Sequence, residues 1–261
     1  FVGDIEGDFS TAYLNSVIIP DIDTNNRSLI SNINIFQSYV QGNIIGNESG
    51  GFITNSEGGK SINTINSVDT EVINYIRINE CFQTLGNIEG NKSGGIVGSY
   101  SKYIYVKDSY TTGDIMGNYC GGILGYDIET IQIEGCYTSG EIIGKYSGGI
   151  GTYVYGKSGF DTIYESKISK CFTTGNFYNR YQGGILGYAK DSYYVTIENC
   201  YSTGRWSENK VDEVIGRDRY RLNHYTGGIV GILPYNNNLS IPIVYMKIHK
   251  CYTKIIGNNR S

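Results

Sequence analysis

The sequence predicts an all-β fold, a single right-handed parallel β-helix (β-solenoid) of about six to seven coils with loop insertions. The first observation is a string that recurs along the 261 residues, written CYTSGEIIGKYSGG from Cys136. The second is that glycine recurs at fixed positions of that string, and the third is that no helical period of useful length appears. A fixed internal period indicates an array in which each unit packs on its neighbours. Parallel strands lie about 4.8 Å apart, and right-handed crossovers are the default.

The copies of the string align on their first residue, which we call the anchor. The anchors are Ser38, Cys81, Ser109, Cys136, Cys171, Cys200 and Cys251. We therefore expect residues 38–261 to form the repeat array and residues 1–37 to form a degenerate N-terminal coil and loop. The additional residues of the longer units fall at two sites, between the Gly-Gly pair and the next anchor and at 205–226. They predict loop insertions at the edges of a rod.

Three short strands are predicted in each unit. The first precedes the anchor and alternates, as in Ile131-Gln132-Ile133, which is a strand pattern. The second covers the anchor, its aromatic neighbour and a segment such as Asp114-Ile115-Met116-Gly117, and the third is Gly-Gly-Ile-x-Gly-Tyr. Glycine is unfavourable in ordinary strand interiors, so its recurrence indicates corners or places where only a hydrogen side chain fits.

Both ends of the chain match the middle of a unit. Residues 3–7 read GDIEG, and residues 255–258 read IIGN after Lys254, where glycine is expected. An open end of such an array is an unpaired strand edge. We therefore expect either a piece of a longer array or ends that pair head to tail in a filament.

Composition excludes two classes of partner. The net charge is -4, and the basic residues are scattered rather than clustered, so we predict no nucleic-acid surface. No apolar run approaches the roughly 18 residues of a membrane span, so we predict no membrane span.

The unit CYxTGxIxGxxxGGIxGY resembles the GLUG-type repeat family of bacterial surface and secreted proteins. It is also similar to the CYxTG…GGIVG repeat proteins of amoeba-infecting giant viruses. The resemblance covers residues 38–257 and implies a β-helical stalk or display surface outside a cell or on a virion. It implies no catalytic motif. We accordingly expect an extracellular, cell-surface or virion-surface location.

Five of the six cysteines occupy anchors, namely Cys81, Cys136, Cys171, Cys200 and Cys251. Serine fills the same position in two units, so the position favours a small, weakly polar side chain and predicts an inward column of free thiols. Disulfides between neighbouring units are the alternative, strained because a Cα spacing of about 4.8 Å is near their lower limit. We predict no metal or cofactor, since C-x-x-C is absent. Cys120 shares its position with serines, and one expectation is an exposed thiol there.

An aromatic residue follows every anchor and predicts a column of stacked rings. The column consists of Tyr39, Phe82, Tyr110, Tyr137, Phe172, Tyr201 and Tyr252. A second tyrosine set, Tyr100, Tyr126 and Tyr188, follows the third strand. The column after the anchors is interpreted as structural.

Candidate binding residues lie in the insertion and in a tyrosine-rich loop. They are Arg205, Trp206, Tyr220, Arg221, Tyr225, Tyr193 and Tyr194. Exposed Trp, Tyr and Arg are typical of contact surfaces for sugars or proteins. A plain protruding loop and lateral packing between rods are the competing interpretations.

Loop carboxylates leave an enzymatic alternative open. Asp127, Glu129, Asp161, Glu165 and Asp191 follow the third strand in successive units, and converging carboxylates can cleave glycosidic bonds. Solvated loop charges explain them as well, and no motif fixes their register, so we assign no catalytic residue.

Three hypotheses follow. The first is a non-enzymatic structural or adhesive protein, a stalk or self-assembling filament segment that associates with itself head to tail or laterally. The second is a glycan-binding adhesin acting through the Tyr-rich loops and the Trp206 arm. The third is a polysaccharide-cleaving enzyme.

Overall fold

The computed structural model describes residues 2–3, 5–7, 10–11, 14–15, 33–57, 59–65, 68–158, 163–179, 181–189, 193–206, 228–232 and 246–257. Across these ranges the chain forms strands, isolated bridges and turns, and no helix. The fold is all-β with strands in parallel sheets, which confirms the predicted class. In the same ranges there is accordingly no apolar helix of membrane-spanning length.

The strands are short and follow the repeat. They are β1 (Leu14–Asn15), β2 (Asn34–Phe36), β3 (Tyr39–Gln41), β4 (Ile53–Thr54), β5 (Gly59–Ile65), β6 (Val68–Asn74), β7 (Ile76–Asn79), β8 (Phe82–Thr84), β9 (Lys102–Lys107), β10 (Tyr110–Thr111), β11 (Ile128–Glu134), β12 (Tyr137–Thr138), β13 (Val154–Tyr155), β14 (Lys157–Ser158), β15 (Ile163–Tyr164), β16 (Ser166–Ser169), β17 (Phe172–Thr173), β18 (Leu186–Tyr188), β19 (Val195–Glu198), β20 (Tyr201–Trp206), β21 (Val230–Ile232), β22 (Met246–His249) and β23 (Tyr252–Gly257).

The first sheet contains the strands that precede the anchors. Its order is β2-β7-β9-β11-β16-β19-β22, all parallel, with β13 also paired to β11. The predicted alternation is confirmed, because Val195 and Ile197 are buried while Thr196 and Glu198 face outward. Like positions pair throughout, as in Ile133 with Val106 and with Ile168, so the sequence period is also the pairing period.

The second sheet contains the strands that follow the anchors, in the order β3-β8-β10-β12-β17-β20-β23. These strands begin at the aromatic residue rather than at the anchor, so the predicted second strand was one residue too long at its start. The isoleucine of the same segment forms an isolated parallel bridge instead of a strand, as in Ile115 with Ile88 and with Ile142. A turn at the intervening glycine interrupts the strand.

The predicted third strand is mostly a row of isolated parallel bridges. Gly121 pairs with Gly94 and with Gly148, and Leu124 pairs with Val97. Two strand pairs, β1 with β4 and β18 with β21, extend the pairing in this part of the unit. Closely spaced glycines bend the backbone here and keep the pairing to single residues.

Two of the insertions that we predicted as loops contain antiparallel hairpin pairings, β5 with β6 and β14 with β15. In the N-terminal 37 residues, β1 pairs in parallel with β4, and Ile5 forms a parallel bridge with Ile44. Residues 16–32 lie outside the described residues. The insertion at 205–226 is described only at Arg205 and Trp206, which end β20.

The proposed mismatch at Lys254 was placed wrongly by one residue. β23 pairs with β20 without a slip, so Lys254 lies opposite Thr203 and Ile255 lies opposite Gly204. Ile255 therefore occupies the glycine position. The alignment by motif spacing hid this, because Gly257 follows its anchor by six residues whereas Gly144 follows Cys136 by eight.

The core is a continuous column of buried aliphatic side chains, extended by five cysteines and by Phe52 and Phe177. It is narrow because neighbouring backbones approach closely at the glycines. A Cβ added to Gly113 would lie 1.6 Å from the carbonyl oxygen of Gly86, one unit earlier. The glycines of the repeat are therefore required by inter-unit contact, as the sequence suggested.

Candidate functional site

A turn in each unit places one side chain outward in a left-handed backbone conformation. The residue before the buried Ser or Cys has φ of 57° at Tyr119 and 58° at Tyr146, and Tyr181, which precedes the buried Gln182, has φ of 61°. Non-glycine residues rarely adopt positive φ, and inter-unit hydrogen bonds hold the turn, such as Tyr119 N–H to the Lys145 carbonyl at 2.9 Å. Because the turn repeats, the three rings stack, with centroids 4.6 Å apart for Tyr119–Tyr146 and 4.9 Å for Tyr146–Tyr181.

Further tyrosines pack against this stack, and together they form one continuous surface. Tyr126 and Tyr188 meet Tyr119 edge to face at 5.6 Å, and Tyr188 also meets Tyr146. The contacts continue outward from ring to ring. We call this set the tyrosine surface, and it comprises Tyr119, Tyr126, Tyr146, Tyr153, Tyr155, Tyr181, Tyr188, Tyr193 and Tyr194.

A lysine lies at one end of the tyrosine surface. Lys92 Nζ is 5.4 Å from the ring centroid of Tyr126 and 5.9 Å from that of Tyr100, within cation–π range. Its ammonium group also donates to Glu48 Oε1 at 3.1 Å. The bond to Glu48 raises the pKa of Lys92, so the cation stays charged at this edge.

A buried carboxylate lies at the other end. Only 8% of the Glu129 side chain is exposed, and its two oxygens lie 3.6 Å from Lys157 Nζ and 3.9 Å from Lys102 Nζ. The Tyr155 hydroxyl donates to Glu129 Oε2 at 3.4 Å. Burial, followed by the negative charges of Asp127 and Glu129, raises the pKa of Tyr155 well above its usual range. Through Glu129, Lys157 of the β14–β15 hairpin is linked to the unit of Glu129 and to that of Lys102.

A buried Ser/Cys column lies beneath the turn. Ser93 Oγ donates to the Gly46 carbonyl at 2.9 Å, and Cys120 Sγ contacts the Gly90 carbonyl at 2.8 Å. Cys120 is fully buried, so the expectation of an exposed thiol there was wrong. Burial raises its pKa to about 12, which leaves the thiol protonated and unreactive.

The anchor thiols form a second buried column. Cys81, Cys136, Cys171 and Cys200 are buried, Cys251 is half-buried, and all are free. Four of them contact a carbonyl of the preceding unit, as in Cys136 Sγ to the Val106 oxygen at 3.8 Å. Burial raises the pKa of Cys81 and of Cys171. These thiols pack as small hydrophobic groups rather than as metal ligands or nucleophiles.

The rings after the anchors stack on the outer face of the second sheet. Centroid separations along the column are 6.1 Å for Tyr39–Phe82, 5.0 Å for Phe82–Tyr110, 4.7 Å for Tyr110–Tyr137, 4.9 Å for Tyr137–Phe172, 4.8 Å for Phe172–Tyr201 and 5.5 Å for Tyr201–Tyr252. The ring at each end is more than 40% exposed. The column is a half-exposed aromatic stripe rather than part of the core.

The structure brings some of the predicted binding residues together. Tyr193 and Tyr194 lie 5.7 Å apart within the tyrosine surface, and Tyr193 is 39% exposed. Arg205 is exposed, and its N–H donates to Asn176 Oδ1 at 2.8 Å. Trp206 ends β20, and its side chain lies outside the described residues, as do Tyr220, Arg221 and Tyr225 entirely.

Sequence reasoning missed the stack of Tyr119, Tyr146 and Tyr181. All three lie two residues before the Gly-Gly pair. An alignment of the units on the Gly-Gly pair shows these tyrosines at one position. The alignment on the anchors did not draw attention to them.

The loop carboxylates are described only in part. Asp127 and Glu129 lie near Tyr155, whereas Glu165 is exposed and accepts a hydrogen bond from the Thr196 hydroxyl. Asp161 and Asp191 lie outside the described residues. No cluster of three or more His, Cys, Asp or Glu side chains suited to a metal ion occurs in the described part of the chain. The enzymatic hypothesis stays a prediction.

No known protein family, curated protein or solved structure matches this chain.

Proposed function

We propose that the repeat units wind into one right-handed parallel β-helix and that the protein is a non-enzymatic structural or adhesive component. It would serve as a segment of an extracellular or virion-surface stalk or of a self-assembling filament, as expected of GLUG-type repeats. The observation that carries the proposal is the register. Like positions of successive units pair in parallel in both sheets and in the third row of bridges, as winding about one axis requires.

Side-chain ladders support a mechanical role. Asn91 Oδ1 accepts the N–H of Asn118, and Asn118 Oδ1 accepts the N–H of Lys145, at 3.0 and 2.9 Å. A second such ladder includes Asp114, whose Oδ1 accepts the N–H of Glu141 at 2.8 Å. Each ladder adds one hydrogen bond per unit to the backbone pairing, so bending the stack requires several bonds to break together.

Electron microscopy of the purified chain at rising concentration tests the proposal. A filament subunit gives particles far longer than the roughly 30 Å of one array, with an axial repeat near 4.8 Å. Short monomers at every concentration would exclude the filament, and the absence of the axial repeat in ordered material would exclude the β-helix.

An edge variant separates end-to-end growth from lateral packing. Ile248 faces the core side of β22, the last described strand of the first sheet, and is 46% exposed. Ile248→Lys places a charge at this edge and should shorten filaments that grow end to end. Thr196→Lys, on the outer face of β19, is the matched control and should shorten only lateral bundles.

Glycan binding is the second candidate. The observation that favours it is the grouping of Tyr193 and Tyr194 with other half-buried rings in one surface. Rigid phenol side chains with exposed edges are effective contact groups. On a glycan array, Tyr193→Ala and Trp206→Ala should lose binding, whereas Tyr105→Ala, on the first sheet, should retain it. Binding to no glycan would count against this candidate.

A further inference from the structure

Two columns place tyrosine rings face to face across neighbouring repeat units. The pairs, with centroid separation and interplanar angle, are Tyr110–Tyr137 (4.7 Å, 9°), Tyr119–Tyr146 (4.6 Å, 10°) and Tyr146–Tyr181 (4.9 Å, 1°). Parallel backbone pairing on either side holds both members of each pair in place. We propose that these three pairs are sites of oxidative cross-linking, each forming a carbon–carbon bond between the phenol rings of neighbouring units.

The chemistry needs a one-electron oxidant, and we name hydrogen peroxide acting through a haem peroxidase. Each phenol loses one electron and its hydroxyl proton and becomes a phenoxyl radical. Two radicals join through the carbons ortho to oxygen, and the proton on each of those carbons leaves while each oxygen regains one. The pair loses two electrons and two protons in all. One hydrogen peroxide molecule takes them up and becomes two molecules of water.

The rings meet the requirements of this coupling. All five tyrosines are half-buried, so their edges are open to solvent while their faces are held by the neighbouring rings. Coupling then requires the two rings to tilt out of the stack until their ortho carbons meet, rather than an encounter of two mobile loops. Proximity of this kind replaces the slow meeting of separate radicals.

Two other contacts set limits on which pairs should react. Tyr126 meets Tyr119 at an interplanar angle of 82°, so an edge points at a ring face and the ortho carbons do not oppose each other. Tyr201 and Tyr252 are parallel within 19° but 5.5 Å apart. We expect the first contact not to couple and the second to couple less than the three closer pairs.

The aromatic column also contains a natural contrast. Phe172 stacks 4.9 Å from Tyr137 at 5° and 4.8 Å from Tyr201 at 2°. Its geometry equals that of the tyrosine pairs, but phenylalanine has no hydroxyl hydrogen to lose. Phe172→Tyr supplies that hydroxyl within an existing stack, so it should create new links at position 172 without altering the backbone.

The experiment treats the dilute, folded, full chain with haem peroxidase and hydrogen peroxide. Digestion and mass spectrometry then map peptides whose joined mass is two hydrogens below their sum. The native chain should give the three proposed links, and Phe172→Tyr should add links to Tyr137 and Tyr201. The double variant Tyr137→Phe and Tyr146→Phe should lose all three, whereas Tyr105→Phe, a surface tyrosine on the first sheet, should keep them.

Other outcomes overturn the proposal. These are an absence of biphenol from the native chain, an unchanged link pattern in the double variant, or links that appear only at high protein concentration and so join different molecules. The same oxidation of the chain unfolded in urea must abolish the pattern, since the fold is what pairs the rings. The inference rests on ring geometry alone and stands or falls separately from the filament proposal.

Discussion

Replacement of Gly140 by alanine tests the claim that inter-unit contact, rather than backbone conformation, fixes the glycines. A Cβ at Gly140 would lie 1.9 Å from the carbonyl oxygen of Gly113 and 2.8 Å from the amide nitrogen of Asp114. Ordinary contact begins at 3.4 Å, so the two backbones must separate by roughly 1.5 Å. The φ of Gly140 is not in the left-handed region, so the cost is steric.

The magnitude follows from two contributions. Overpacking of a close-packed site costs about 1–3 kcal/mol. Separation of the units also lengthens the bond from Glu141 N–H to Asp114 Oδ1, now 2.8 Å, and a lost hydrogen bond costs about 1 kcal/mol. We expect Gly140→Ala to lower the free energy of unfolding by about 2–4 kcal/mol.

Gly151→Ala is the matched control. Gly151 occupies the position held by Leu124 and Leu186 in the adjoining units, and its added Cβ would meet only leucine side-chain atoms at 3.2–3.4 Å. Side chains can adjust, so the expected change is within about 1 kcal/mol. Urea unfolding followed by circular dichroism measures both variants. Equal midpoints for the two, or a loss below about 1 kcal/mol in Gly140→Ala, would refute the steric argument.

Four further outcomes are expected, from the buried column, the ladders and the Lys170–Glu134 ion pair. Cys120→Ser should change stability by less than about 1 kcal/mol, since serine fills that column elsewhere; unfolding midpoints check this. Because the native thiol keeps its proton from the ordinary pKa of 9.0 up to about 12, stability should fall as pH rises through that window, and less steeply in Cys120→Ser. Asp114→Ala should lose about 1 kcal/mol by urea unfolding while Asp114→Asn keeps the acceptor. Lys170→Met should raise the pKa of Glu134, which the ammonium 2.6 Å away lowers; an NMR titration checks this, with Lys145→Met as control.

The fold class was predictable because the same inter-unit contacts recur in every unit. The residues that make them therefore recur in the sequence at the same spacing. An inward position must be aliphatic or small in every unit, and a position opposite a carbonyl must be glycine. Ile115 and Gly113 recur for these two reasons.

Other features could not be predicted, because they depend on backbone details that side-chain patterns do not record. The left-handed turn at Tyr119 directs its ring outward and the next side chain, Cys120, inward. Without that φ, neither the ring stack nor the buried thiol could be placed. The register at Ile255 is likewise set by continuous backbone pairing with β20, which motif spacing does not record.

The columns differ in how strictly they specify a residue, and each difference has a physical cause. From Gly86 to Gly204 the glycine column accepts no side chain because a carbonyl oxygen of the preceding unit fills the space, and Ile255 takes the position only in the last unit. The Ser/Cys column accepts either residue because it requires only a small hydrogen-bonding group, as Ser93 and Cys120 show. The outer ring column accepts Phe or Tyr because stacking at about 4.8 Å makes no use of the hydroxyl. Since stacking leaves that choice free, a purely structural column gives no reason to prefer tyrosine. The oxidation experiment asks whether the hydroxyl has a chemical use that stacking does not give it.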